Sequence, residues 1–375
     1  MATEGEGIQK AVVTIKVFGV GGGGNSVLLR IRQSDFLDVQ LVALNTDAKQ
    51  LERVQYAGID AVQIGAQYTK GRGTGGKVEL GEEAAKNDEE RIKEMMQGAD
   101  LIFITAGMGG GTGTGAAPVV AEIAKDMGIL TIGVVTLPFT FEGMRKRKIA
   151  EGGILKMQSH MDALIAVQND NLKKLPENRT MSFMDGFKAA DEVLKQAIRC
   201  MAELILNTGV VNVDFADVTT IFHQSESSDA ILGIGRSDKS AVEAVQKAVA
   251  SPLIDRALSG CRGLILNITG DSTLSLYDVN QASDYIYKNT DPNVNIIFGV
   301  VVDDAMQGAI QATIIATDFA DSMAIKAPKA VEPKAKEAVQ RGFNLDTPSF
   351  MNQESEKPKE NFAIPAFKLA NFEKE

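Results

Sequence analysis

Over the first half of the chain, short β-branched apolar runs alternate with stretches whose apolar residues recur every three to four positions. The runs at 11–18, 39–44, 101–105, 130–135 and 163–167 have the length and branching of strands buried on both faces of a parallel sheet. Helical periodicity fills the intervals at 26–32, 79–96, 114–127 and 142–158. Strand and helix in strict alternation predict an α/β fold with a doubly wound, mostly parallel sheet. Residues 182–206 read as one long central helix, with Ser182 as N-cap, Asp185 three residues on and Gly209 as the stop. Beyond it, strand-like runs at 264–269, 294–302 and 309–317 flank a helical pattern at 274–288, predicting a second, α+β domain.

The periodicity fades at the C-terminus. Five of the ten prolines (Pro328, Pro333, Pro348, Pro358, Pro365) fall in the last 48 of the 375 residues, among many Lys and Glu. That composition predicts a disordered linker over 319–360. The cluster Phe362, Ile364, Pro365, Phe367 and Leu369 follows, and reads either as a docking peptide at 361–375 or as a frayed end. Residues 1–10 read as a flexible N-terminus without the basic start and apolar run of a secretion signal. No stretch approaches the roughly 18 apolar residues of a membrane span, so the expectation is a cytoplasmic chain with no direct membrane insertion. Forty-nine acidic against 39 basic side chains, a formal charge of -10, argue against nucleic acid or anionic lipid as a main partner. Cys200 and Cys261 read as reduced packing residues, and His160 and His223 as structural, because neither pair has metal or triad spacing.

Twenty-six of the 36 glycines lie in residues 1–153, which directs attention to the first half. The first strand runs into Gly19-Val20-Gly21-Gly22-Gly23-Gly24-Asn25-Ser26 and then a helix, placing bare amides at a helix N-terminus where an anion binds. The same segment fits GxGxxG, and Asp47 follows 23 residues after Gly24, so an NAD-dependent oxidoreductase and other nucleotide folds both remain open at this point. GRGTGGKV at 71–78 imitates a P-loop but offers Val78 where Ser or Thr binds magnesium, and no strand leads into it; it reads as a flexible loop. A second glycine loop separates the rivals. The strand at 101–105 leads into Ala106-Gly107-Met108-Gly109-Gly110-Gly111-Thr112-Gly113-Thr114-Gly115, for which a dinucleotide fold has no standard use. Two such turns on neighbouring strands wrap one polyphosphate from several sides, and Thr112 and Thr114 add hydroxyl donors.

The GGGTGTG segment at 109–115 is the tubulin signature, and the chain here resembles the bacterial cell-division GTPase family FtsZ. The resemblance spans about residues 11–318 and extends to the tail tip. It implies a GTP-binding domain at 11–181, a central helix at 182–208 and a C-terminal α+β domain at 209–318. It further implies that Gly21, Gly22, Asn25, Gly107, Gly109, Gly110, Thr112, Gly113 and Thr114 hold the phosphates of GTP or GDP. Asp47, in Asn45-Thr46-Asp47, then lies beside the phosphate loops. Gly73 belongs to the loop near the γ-phosphate, where Lys77-Val78 replaces the family's usual Asn-Pro. The segment from Pro138 to Arg145 is similar to PFxFEGxxR, so Glu142 is expected on the ribose and Arg145 on the nucleotide. Asn169, Phe187 and Asp191 match the guanine contacts; a carboxylate accepts from guanine N1 and N2 together, and adenine lacks that donor pair. Locally, Glu142 reads equally well as a first-turn acid against a helix dipole, and Asp191 as a helix-surface acid.

After the long helix, Asn212, Asp214 and Asp217 stand at the start of another helix. Spacing alone makes Asp214 and Asp217 an N-cap and an N3 acid. The resemblance to the GxxNxDFxD loop makes 209–217 catalytic, orienting a water for attack on the terminal phosphate. In the family this loop completes the site of the next subunit, so hydrolysis accompanies head-to-tail filament growth. The resemblance implies magnesium held through phosphates and water, assembly regulators, and membrane-tethering division adaptors bound through 361–369 at the division site. A related tubulin-like filament GTPase, such as one for plasmid segregation, is the alternative.

Overall fold

The computed structural model describes residues 13–34, 39–174, 181–206, 214–225, 227–254 and 256–319. Ten strands make one sheet: β1 (Ile15–Val20), β2 (Gln40–Asn45), β3 (Asp60–Gln63), β4 (Leu101–Gly107), β5 (Leu130–Leu137), β6 (Ala163–Gln168), β7 (Asp229–Ser237), β8 (Cys261–Gly270), β9 (Asn295–Val302) and β10 (Ile310–Phe319). Their spatial order is β3-β2-β1-β4-β5-β6-β7-β10-β8-β9. All neighbours from β3 to β7 are parallel, β10 is antiparallel to β7 and β8, and β8 and β9 are parallel. The helices are α1 (Gly21–Gln33), α2 (Ala48–Tyr56), α3 (Ala66–Thr69), α4 (Val78–Asn87), α5 (Glu89–Met96), α6 (Thr112–Asp126), α7 (Met144–Gln158), α8 (Asn169–Leu172), α9 (Phe183–Leu206), α10 (Phe215–His223), α11 (Ala241–Val249) and α12 (Leu276–Asn289).

The strand order reverses at β1, which has β2 on one side and β4 on the other. A doubly wound sheet opens a crevice at the carboxyl ends of the strands at such a switch point, and both glycine loops leave from β1 and β4. Residues on both faces of β1 are buried, as a central parallel strand requires. Val17 joins Leu28 of α1 and Leu194, Ala197 and Ile198 of α9 in one core. Phe18 joins Val120 of α6, Ala84 of α4 and Ile154 of α7 in the core on the other face. A third core lies between β7, β8 and β10 and the helices α11 and α12.

The expected elements appear with shifted bounds. The strand expected at 11–18 is Ile15–Val20, and the helix expected from 26 begins at Gly21, so the first glycines form a helical turn. The single helix expected at 79–96 is two, α4 and α5. Asp88 breaks it at φ -105 and ψ 21, and its Oδ2 accepts a hydrogen bond of 2.7 Å from the Gly65 amide. The helix expected from 142 starts at Met144, since Gly143 takes φ +98; Glu142 lies in the 3-10 turn before it and is not a first-turn acid of α7. Hydrophobic patterning passed over α2, β3, β7 and α11. In β7, Gly233 and Gly235 interrupt the apolar run because α11 packs there; a Cβ on Gly235 would lie 2.2 Å from Ala244 O. Cys200 and Cys261 are buried free thiols. Among the described residues no helix is long and apolar enough to cross a membrane. Residues 1–10, Asn212, Gly209 and the tail beyond Phe319 lie outside the described residues.

Candidate functional site

Helices α1 and α6 begin at the switch-point crevice, and neither has a side-chain cap or an acid in its first turn. Their leading amides are therefore free to serve an anion, and both helix dipoles favour negative charge there. Glycine brings the two loops together. A Cβ on Gly21 would lie 2.8 Å from the Gly113 amide nitrogen. Gly109, at φ +102, turns the signature loop back, and its amide donates to Thr114 Oγ1 at 2.8 Å. Gly110 has no atom within 4 Å of where a Cβ would stand, so its face is open to a ligand.

Behind the loops runs a buried polar chain. Asn25, 2% exposed, donates to Gly19 O at 2.9 Å and accepts at Oδ1 from Asn45 Nδ2 at 2.7 Å. Asn45 Oδ1 accepts from the Asp47 amide at 3.2 Å, which ties β1, α1 and β2 into one frame. The hydroxyls of Thr46 and Thr112 lie 2.7 Å apart and join the end of β2 to the start of α6. Asp47 caps α2, accepting from the Lys49 amide at 3.0 Å and the Gln50 amide at 3.4 Å. Gly73, at φ +77, stands beside it.

Two adjoining cavities share Gly23, Phe187 and Asp191. The narrower, about 180 Å³, is lined by Gly107, Gly109, Gly110, Glu142, Lys146 and Asn169 as well. The wider, about 690 Å³, also takes in Gly22, Asp47, Lys49 and Arg53. The amide of Asn169 is 5% exposed and its Oδ1 has no hydrogen-bond partner, so a buried acceptor waits at the cavity wall. Asp191 Oδ2 accepts from Arg30 Nε at 3.1 Å; burial pushes the carboxyl above the ordinary aspartate range, with Arg30 opposing. Glu142 accepts from the Phe139 amide at 3.0 Å with one oxygen and pairs with Lys146 Nζ at 3.0 Å with the other.

Comparison with known proteins agrees with this geometry. Residues 14–177 match the model of the Tubulin/FtsZ family, GTPase domain, and residues 228–320 that of the FtsZ family, C-terminal domain. An empty FtsZ dimer from M. jannaschii is 39% identical over 82% of this chain and 89% of that one, with a TM-score of 0.78. The chain belongs to the tubulin/FtsZ GTPase family. A GTPγS-bound protofilament of CetZ2 from Haloferax volcanii shares the fold, at 23% identity, a TM-score of 0.69, and coverage of 84% of this chain and 95% of that one.

The family membership makes this chain a tubulin-like GTPase that binds GTP and GDP, and removes the dinucleotide reading. The crevice suits such a ligand: uncapped helix N-termini for phosphates, an open face at Gly110, and an orphaned buried acceptor at Asn169. Of the residues expected to hold nucleotide, Gly22, Asp47, Gly107, Gly109, Gly110, Glu142, Asn169, Phe187 and Asp191 line the cavities. Gly21, Asn25, Thr112, Gly113 and Thr114 build the wall behind them, and Gly73 sits at the edge. Arg145 is exposed and lines neither cavity; Lys146 does so in its place. The PFxFEGxxR spacing, counted from Gly143, ends at 146, where this chain carries Lys. Position 146 also stands four residues after Glu142, the interval that lets the two side chains meet. Gly23 was missed as well, although the run of four glycines contains it.

Asp214 and Asp217 are elsewhere. Asp214 caps α10, accepting from the Ala216 amide at 3.4 Å, and both acids are exposed. They follow the far end of α9, and Asp191 to Leu206 alone covers roughly 22 Å of helix axis. Neither lines the cavities that hold Asp191. Asn212 lies outside the described residues.

Proposed function

We propose that this chain is a head-to-tail polymerising scaffold of a cell-division ring, and that GTP held by one subunit is hydrolysed with the acidic loop of the next. The observation that carries this reading is the separation of Asp214 and Asp217 from the crevice of their own subunit. An acid that is exposed, makes a single long capping hydrogen bond and lines neither cavity of its own crevice serves a neighbour better than itself. The M. jannaschii FtsZ dimer and the CetZ2 protofilament support association of like subunits.

In this reading the glycine loops and Thr112 hold the phosphates, Gly73 lies by the γ-phosphate, and Glu142 accepts from the ribose hydroxyls. Asp191 and Asn169 read the guanine edge beside the Phe187 ring. Lys146, released from Glu142, is the cation that reaches the nucleotide. Asn212, Asp214 and Asp217 of the neighbour orient a water in line with the γ-phosphate. One of the carboxylates accepts the water's proton as the new O–P bond forms and the β–γ bridging P–O bond breaks, releasing GDP and phosphate. Magnesium, held through the triphosphate and water rather than by a set of protein ligands, would supply charge neutralisation there. No group of three or more His, Cys, Asp or Glu among the described residues is arranged to hold it directly. The protein acts in the cytoplasm at the division site, where segment 361–369 docks membrane-tethering adaptors and regulators govern assembly.

The deciding measurement is phosphate release from GTP as protein concentration rises. A threshold followed by growth steeper than linear is expected. A rate strictly proportional to concentration down to the monomer would place the hydrolytic machinery within one subunit and overturn the reading.

A further inference from the structure

One carboxylate beside the crevice is used by nothing above. Asp170 follows Asn169 in α8, and its Oδ2 accepts from the backbone amide of Thr140 at 2.9 Å and from the Thr140 hydroxyl. Its other oxygen pairs with Lys173 Nζ. That ammonium stands 5.3 Å from the ring centroid of Phe139 and 5.5 Å from that of Phe141. The two rings stack at 5.1 Å, and Phe139 meets Phe187 edge-on at 5.4 Å. Thr140 is the first residue of the 3-10 turn that ends in Glu142, and the Phe139 amide holds Glu142 Oε1. Besides this ring packing, the turn is held by hydrogen bonds of two kinds: one inside itself, through Glu142, and those to α8, through Asp170.

We infer that Asp170 is a positioning residue for ribose recognition, locking the Phe139–Glu142 turn to the helix that carries Asn169. Two donors from one residue converge on one carboxylate oxygen, and such charge-assisted bonds fix direction as well as distance. Without them the turn keeps the Glu142–Phe139 bond and its ring packing on Lys173 and Phe187, and loses the directional bonds that fix it relative to the base-binding wall. The inference rests on the reading of Glu142 as the acceptor for the ribose hydroxyls.

The test compares equilibrium binding of GTP and 2′,3′-dideoxy-GTP, which share base and triphosphate and differ only in the ribose hydroxyls. The wild-type protein is expected to prefer GTP. In Asp170→Ala that preference should shrink about tenfold, the scale of a lost charge-assisted hydrogen bond, while affinity for the dideoxy nucleotide stays close to wild type. Asp170→Asn keeps an acceptor for Thr140 and should recover part of the preference. Equal weakening of both nucleotides would reduce Asp170 to a stabilising residue and overturn the inference. Should Asp170→Ala not fold, Thr140→Val, which removes the hydroxyl donor alone, carries the same test, and an undiminished preference there overturns it. A wild-type protein that binds GTP without any such preference would instead remove Glu142 from the ribose, and the inference with it.

Discussion

A Cβ placed on Gly23 would lie 2.9 Å from both the Cα and the amide nitrogen of Gly107. The two glycine loops thus touch backbone to backbone, β1 into α1 against the end of β4, and no side chain of any size fits between them. Gly110, a few residues along the second loop, has open space in that direction. These two glycines separate fold from ligand. Gly23→Ala should lower stability by about 1–3 kcal/mol, the cost of overpacking, and weaken GTP binding as a consequence. Gly110→Ala should leave the thermal melt unchanged and still weaken GTP, because its methyl group enters the cavity. Melting and nucleotide titration of both variants check this; a Gly110→Ala protein with wild-type affinity would mean that the phosphates lie elsewhere.

Much of this arrangement was legible in the sequence, and for a physical reason. Buried parallel strands must be apolar on both faces, so β1, β4, β5 and β6 announce themselves as β-branched runs. The glycine loops are equally plain, because a loop that must approach another backbone within contact distance admits nothing else. The elements that escaped are those whose signal is shared or interrupted. β7 carries Gly233 and Gly235 where α11 lies against it, and the break between α4 and α5 comes from Asp88 capturing a distant amide. At the site, Asn169, Phe187 and Asp191 came only through resemblance, since a helix-surface acid and a base-reading acid look alike in one dimension. After Gly143 it is Lys146, one residue beyond the expected Arg145, that lines the cavity. A one-residue step on a helix is a turn of about 100°, enough to exchange solvent for cavity.

Asp191 offers a dependence on pH with two opposite signs. Burial, opposed by Arg30, raises its pKa above the ordinary aspartate range. A raised pKa means that the ionised carboxylate is disfavoured in the folded chain, so this group's penalty on stability is present at neutral pH and is relieved as pH falls through the raised value. Guanine recognition needs the ionised form, which alone accepts from N1 and N2 together. GTP affinity should therefore fall as pH is lowered through the window just above the ordinary aspartate range, before the fold is lost. In Asp191→Asn the affinity should be lower at neutral pH, by about tenfold, and flat across that window. Affinity of the wild-type protein that stays constant there would exclude the ionised carboxylate from base recognition.

The third core closes on Phe319, which is 6% exposed at the end of β10. Residues 361–375 follow a stretch rich in Pro, Lys and Glu. Truncation after Glu360 should leave the GTPase rate and the melting temperature unchanged while abolishing binding to membrane-tethering adaptors. Collapse of the GTPase rate on truncation would assign the tail to the catalytic body.

Asp214 and Asp217 line neither cavity of the crevice, and that separation permits a complementation experiment. Asp214→Ala should bind GTP with wild-type affinity and fail to turn it over, since no cavity-lining residue changes. Loss of the cap costs α10 about 1 kcal/mol, too little to unfold the chain. Gly109→Ala, forced into φ +102 with its Cβ 3.1 Å from Lys146 O, should lose nucleotide and keep its acids. Each protein alone should be inactive. Mixed, a subunit with an intact crevice can meet a subunit with an intact acidic loop, and phosphate release should return to a fraction of the wild-type rate that varies with the mixing ratio. A mixture as silent as its parts would show that both halves are needed in the same chain, and turnover by Asp214→Ala alone at the wild-type rate would remove this acid from the chemistry altogether.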